Sequence, residues 1–165
     1  MNQVSEDTDT DAVRIVREMA APAKDVYDAF LNPDQLMRWM GPKRFKATDV
    51  EIVPEVGGSA RITVEAENGD RGSFDWKFVE LVPDEKIVIS FAFGGPNGET
   101  DTHRSRFTVS LVENAPDRTE LTLVHDRLGQ APPGGHAGVN QGWTEATAKL
   151  AQMFEADKGT HESDD

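Results

Sequence analysis

From Phe45 to His125 the chain alternates apolar and polar residues with period two, and only from Gly138 to Glu155 does one long stretch take up helical spacing. That order leaves few ways to bury the apolar rows. Strands joined by short turns favour an antiparallel meander with one apolar face. A single amphipathic helix that follows must cover that face, because neither surface is stable in water. On the helix, Val139, Trp143, Ala146, Leu150, Met153 and Phe154 form one stripe. About twenty helical residues span ~30 Å, enough to cross such a sheet. Where helix and sheet do not fill the space between them, a cavity results.

The strands are marked individually. Phe45–Val53 contains a phase slip between Ala47 and Val50, which predicts a bulge. Ala60, Ile62, Val64 and Ala66 alternate next, and Asn68-Gly69 then signals a hairpin. Phe74, Trp76 and Phe78 share one face of the following strand, and Ile87, Ile89, Phe91 and Phe93 share one face of the next. Phe107, Val109 and Leu111 follow, then Leu121, Leu123 and His125. Arg104, Arg106, Asp75 and Lys77 fall in the opposite phase and are expected on a solvated outer face. Loops are expected at Gly94–Gly98 and Gln130–Gly135.

Ahead of the meander, Val13–Met19 is a first strand. Ala21-Pro22-Ala23 opens a short helix with Ala23, Val26, Tyr27 and Phe30 on one face. Asn32-Pro33-Asp34 starts a second, since Asn caps, Pro suits the first turn and Asp suits the positive end. Gly41-Pro42 ends it. The expected fold is therefore α+β: a curved antiparallel seven-stranded sheet wrapped around a long C-terminal helix, with two short helices between strands 1 and 2. One domain is expected over residues 13–157, a size at which roughly 70% of the unfolded surface is buried.

Composition narrows the function. The net charge is −13; residues 1–12 hold four acidic side chains and no basic one, and residues 157–165 hold four against one lysine. Residues 1–12 and 158–165 are expected to be disordered acidic tails. An acidic body repels phosphate backbones, so nucleic acid is not an expected partner. There is no cysteine, which excludes disulfides and thiolate chemistry. The N-terminus lacks the basic and apolar regions of a secretory signal, and no stretch approaches the ~20 apolar residues of a membrane span. A soluble cytoplasmic protein with no membrane partner is expected.

Catalytic signatures are absent. The chain has no His-Glu-x-x-His, no Gly-x-Ser-x-Gly, no phosphate loop and no dinucleotide fingerprint. Gly134–Gly138 lies between a strand and a helix but carries neither the lysine nor the hydroxyl of a phosphate cradle, so a flexible connection is expected. No metal and no cofactor are expected. The candidate ligand-binding residues are the rings and polar groups in the inward phases. Trp39, Phe74, Trp76, Phe78, Phe91 and Phe93 supply rings, as do Phe107 and Trp143. His103, His125 and Tyr27 supply polar contacts, and Met153 extends the helix stripe. Many large rings facing a helix leave voids more readily than Leu and Val.

With this order of elements in place, the chain resembles the START-like (SRPBCC, helix-grip) superfamily that includes the birch-pollen allergen. Within it, the chain is similar to the branch related to the C-terminal domain of the Aha-type activator of the ninety-kilodalton heat-shock chaperone ATPase. The resemblance is carried by Ala21–Phe30, Asn32–Pro42, Gly57–Arg61, Phe78–Pro83 and Gln141-Gly142-Trp143. Where the branch often has Trp-Trp-Gly-Pro, this chain has Trp39-Met40-Gly41-Pro42, and the more adaptable methionine implies a looser pocket mouth. The resemblance implies an apolar cavity between sheet and helix, in relatives that bind lipids, hormones or polyketides and in a few cyclases and hydrolases. The favoured expectation is binding of a small hydrophobic molecule rather than catalysis. Two alternatives are a chaperone-associated interaction protein working through its outer surface, and a cyclase- or hydrolase-type enzyme with His103 or His125 as base. Self-association through the edge of the first strand is a further possible partner arrangement.

Overall fold

The computed structural model describes residues 12–95, 103–128 and 135–164, with side chains of the last helix described over 137–156. The expected N-terminal tail, most of the Gly94–Gly98 loop and most of the Gln130–Gly135 loop lie outside the described residues. The elements run β1 (Val13–Met19), α1 (Ala23–Ala29), α2 (Pro33–Trp39), β2 (Phe45–Ile52), β3 (Ser59–Ala66) and β4 (Arg71–Val82). They continue with β5 (Lys86–Gly94), β6 (Ser105–Ala115), β7 (Arg118–Asp126) and α3 (Gly135–Asp164). One antiparallel sheet holds all seven strands in the order β1-β7-β6-β5-β4-β3-β2. This is the α+β helix-grip architecture.

Register places the aromatic rows on one face. Phe74 pairs with Phe93, Trp76 with Phe91, and Phe78 with Ile89, which pairs in turn with Phe107. Directly opposed residues share a face, so these rings form one continuous inner surface. The phase slip in β2 is a register shift between Ala47 and Asp49. A second shift, between Phe78 and Glu80, carries no advance signal because β4 keeps its apolar residues in step up to Phe78. The Asn68-Gly69 hairpin forms, but not as a two-residue type I′ turn. Gly69 N–H donates to the Ala66 carbonyl (2.9 Å), and Gly69 alone in the loop has positive φ, at 94°. This is a three-residue loop with glycine in the left-handed position, the next commonest hairpin solution.

The two short helices close one end of the sheet. The Asn32 side chain accepts from Gln35 N–H (3.0 Å), with Pro33 at the first helical position. Glu113 reaches from β6 to accept from Ala23 N–H (2.8 Å), capping α1 from across the fold. Trp39 donates its indole N–H to the Ala29 carbonyl (3.0 Å) and meets Phe30 edge-on at 4.9 Å. α3 lies across the inner face with Val139, Trp143, Ala146, Leu150, Met153 and Phe154 all buried. It is held on both flanks. Arg17 of β1 donates to Thr147 Oγ1 (3.0 Å) and the Thr144 carbonyl (3.2 Å). On the other side Lys149 Nζ donates to the carbonyls of Pro42 (3.2 Å) and Phe45 (3.0 Å), while Glu145 accepts from Lys43 N–H (2.9 Å). The helix runs to Asp164, beyond the boundary expected at residue 157. Past Phe154 it has no apolar stripe, so periodicity could not signal the extension. No helix among the described residues is long and apolar enough to cross a membrane.

Candidate functional site

Between the sheet and the first turns of α3 lies a cavity of about 320 Å³. Its sheet wall is Phe74 of β4 with Phe91 and Phe93 of β5; its helix wall is Val139, Trp143 and Ala146. The connection from α2 to β2 closes a third side with Met40, Pro42 and Phe45. Alternation on β4 and β5 points these rings inward, and the i, i+4, i+7 spacing on α3 points its residues back at them. The rings meet edge to face. Phe91 and Phe93 are 4.8 Å apart at 82°, and Phe74 and Phe93 are 6.3 Å apart at 73°.

His125 sits at the inner end of the cavity, fully buried near the end of β7. Both its nitrogens are engaged. Trp143 Nε1 donates to Nδ1 (2.9 Å), and Nε2 lies 2.7 Å from Ser105 Oγ. An indole nitrogen can only donate, so Nδ1 must be unprotonated and Nε2 must carry the hydrogen. Ser105 then accepts from Nε2 and donates onward to the Phe91 carbonyl (3.4 Å). The result is a directed chain from helix to sheet: Trp143 to His125 to Ser105 to the backbone of β5. Burial pushes the His125 imidazole down to about 4, and a proton on Nδ1 would also displace the indole bond.

The sequence-predicted residues divide by position. Phe74, Phe91, Phe93, His125 and Trp143 border the cavity. Trp76, Phe78 and Phe107 are buried in the same inner face but off the cavity wall, with Phe107 4.9 Å from the Trp143 ring. Met153 is buried farther along α3, and Trp39 is committed to Ala29 and Phe30. Tyr27 is buried on α1, which packs on β6 and β7 at the end of the sheet away from the cavity; burial raises its phenol pKa, with Asp84 and Asp28 adding to the shift. The expectation that His103 points inward is corrected. His103 is exposed, and its Nε2 lies 2.9 Å from the Arg127 carbonyl. It precedes the first residue of β6, Ser105, so strand alternation does not govern where its side chain points.

Outside the cavity, Arg104 is more than solvated surface. It binds Ser90 Oγ (2.7 Å), the Ser90 carbonyl (2.9 Å) and Asp75 Oδ1 (2.9 Å), tying β4, β5 and the approach to β6 together on the outer face. Sequence reasoning missed Ser105. Its signal was available, as the one hydroxyl in the inward row Ser105, Phe107, Val109, Leu111. It also missed Gly72 and Gly142, which border the cavity without side chains. Among the described residues, no group of three or more His, Asp or Glu is placed to hold a metal ion.

Known structures share this architecture. Protein CV1439 from Chromobacterium violaceum superposes with a TM-score of 0.72 at 26% identity, over 87% of this chain and 97% of that one. A protein from Arthrobacter aurescens gives a TM-score of 0.79 at 23% identity, over 90% and 88%. DynU16, from the dynemicin biosynthetic locus, gives 0.65 at 24% identity, over 88% of this chain but 47% of its own. No curated protein matches the chain in sequence. Residues 20–155, from the turn after β1 to the end of the buried stripe on α3, match the family described as activator of Hsp90 ATPase homolog 1-like protein. The chain belongs to that family, within the START-like superfamily.

Proposed function

We propose that the chain binds a small hydrophobic molecule in the cavity between its sheet and α3. The observation that carries this is the cavity itself: about 320 Å³, walled by Phe74, Phe91, Phe93 and Trp143. That volume is at the lower end of the range for small-molecule sites, which are mostly apolar and largely pre-formed. Binding would be held by burial of apolar area and by ring contacts. Catalysis by His125 as a general base has less support. A base needs a free lone pair, and the only unprotonated nitrogen of His125 already accepts from Trp143. The test is a thermal-shift screen of lipids, aromatic compounds and polyketides, repeated on Trp143→Ala and Phe91→Ala. Members of the panel should raise the melting temperature of the wild type and not of the variants. If none shifts the wild type, the proposal fails.

The family description supports a second reading, a chaperone-associated role exercised through the outer surface. Stimulation of a purified Hsp90 ATPase by this chain would support it, and the lack of any complex would exclude it.

A further inference from the structure

Glycine inside a strand or helix costs roughly 0.5–1 kcal/mol relative to alanine, so each interior glycine calls for a reason. The usual reasons are positive φ or close approach of a neighbouring backbone. Gly72 of β4 and Gly142 of α3 have neither. Neither is among the glycines of positive φ. A Cβ placed on Gly72 would meet only the Gly94 carbonyl, at 3.5 Å; one on Gly142 would meet only Pro42 Cγ, at 3.7 Å. Both are ordinary contacts. By contrast, a Cβ on Gly58 would come within 2.3 Å of the Val53 carbonyl, as expected of a glycine that is sterically required.

Gly72 and Gly142 share one other property: both border the cavity, one from the sheet and one from the helix. Gly72 pairs with Val64 and takes the inward phase with Phe74, so its missing side chain would point into the space. Gly142 lies between Val139 and Ala146 on the inward face of α3. We infer that these two glycines keep a slot open, and that the slot admits a flat apolar ring system whose leading edge carries no hydrogen-bonding group. This rests on the ligand-binding proposal above and specifies the ligand.

The second half of the inference comes from the polar groups at the inner end. His125 and Trp143 satisfy each other, and Ser105 takes the remaining His125 nitrogen. Arg71 and Ser73 also border the cavity, but they alternate with Phe74 and belong to the outer face, where Arg71 Nε lies 3.6 Å from Glu65. The inner end therefore presents ring faces and carbon, with no side-chain donor or acceptor left over. A polar group carried in there would lose its water without replacement. A polar substituent at the trailing end stays in solvent.

The experiment uses 2-naphthoate and 2,6-naphthalenedicarboxylate, which share a ring system but carry a polar group at one end or at both. Binding is followed by quenching of tryptophan fluorescence and by calorimetry. The wild type should bind 2-naphthoate at least ~100-fold more tightly than the diacid, since one carboxylate of the diacid would be buried unpaired. Gly72→Val and Gly142→Leu should each weaken 2-naphthoate at least ~10-fold by filling the slot from opposite walls. Gly142→Ala should raise the melting temperature by about 2–4 °C, because alanine fits the space and favours helix. Equal affinity for the two acids, or unchanged affinity in both filled variants, overturns the inference while leaving the cavity proposal standing. A fall in the melting temperature of Gly142→Ala shows the glycine to be sterically required and overturns it too. A wild type that binds members of the broad panel but not 2-naphthoate overturns the ligand class alone; one that binds nothing overturns both proposals.

Discussion

At the scale of single residues, His125 is where chemistry and stability meet. Its imidazole is held neutral by burial, at about 4, against about 6.5 in an unfolded chain. Between those values the unfolded state binds the proton and the folded state does not, so stability rises with pH across that window. The contribution is fully present above about pH 6.5 and is lost as pH falls toward 4, to a total of about 3 kcal/mol. Carboxylates titrate near the lower end, so the clean measurement is an NMR titration of the imidazole in the folded protein. An apparent pKa near 4, with Nε2 protonated at neutral pH, is expected. A value near 6.5 would show that His125 is not sealed between Trp143 and Ser105. The alternation of β7 indicated that His125 points inward, but it gave no hint of its state. That state depends on a helix residue and a β6 residue that meet it only in the folded chain.

At the scale of elements, the cavity depends on how α3 is tethered. Lys149 and Glu145, one turn apart, hold three backbone groups of the segment from Pro42 to Phe45, and that segment is one wall of the cavity. Desolvation lowers the Lys149 pKa, and nearby Glu145 opposes the shift. Lys149→Met keeps the aliphatic stem and removes the donor. It should cost about 1–2 kcal/mol, because hydrogen bonds from a charged group are worth more than neutral ones but partial exposure discounts them. It should also speed amide hydrogen exchange between Gly41 and Phe45, while exchange in β6 and β7 stays unchanged. Unchanged exchange at Phe45, whose amide bonds the Pro42 carbonyl (3.0 Å), would show that the tether does not hold the wall. The elements themselves were legible because burial on one face imposes period two on strands and a stripe on the helix. Trp143, Leu150 and Phe154 sit where that stripe requires. The cavity was legible only as a location. Its volume follows from side chains that are missing at Gly72 and Gly142, and absent atoms leave no periodic mark. Which rings reach it was equally hidden: Phe91 and Phe107 carry the same sequence signal, yet only Phe91 borders the space.

At the scale of the whole molecule, the sheet closes on its ends in sequence. β1 pairs with β7, joining Val13 to His125, and β1 also anchors α3 through Arg17. The first strand, the last strand and the helix therefore form one unit that cannot assemble until most of the chain is present. The three tryptophans sample different parts of it: Trp39 under the short helices, Trp76 on the sheet, Trp143 on α3. If the core is one cooperative body, unfolding seen by any of them must coincide with loss of secondary structure. Three variants that each retain one tryptophan, with the other two replaced by phenylalanine, make this measurable. Within each variant, the denaturant midpoint from fluorescence should match the midpoint from far-UV circular dichroism. Comparison inside each variant removes the destabilisation that the replacements bring. The informative exception would be Trp143. A helix that lifts from the sheet before the sheet melts would give an earlier fluorescence midpoint in that variant alone. The cavity would then open by local detachment of α3, with the Trp143–His125 bond broken while β1 to β7 remain paired. Coincident midpoints in all three would tie access to the cavity to smaller movements at its rim.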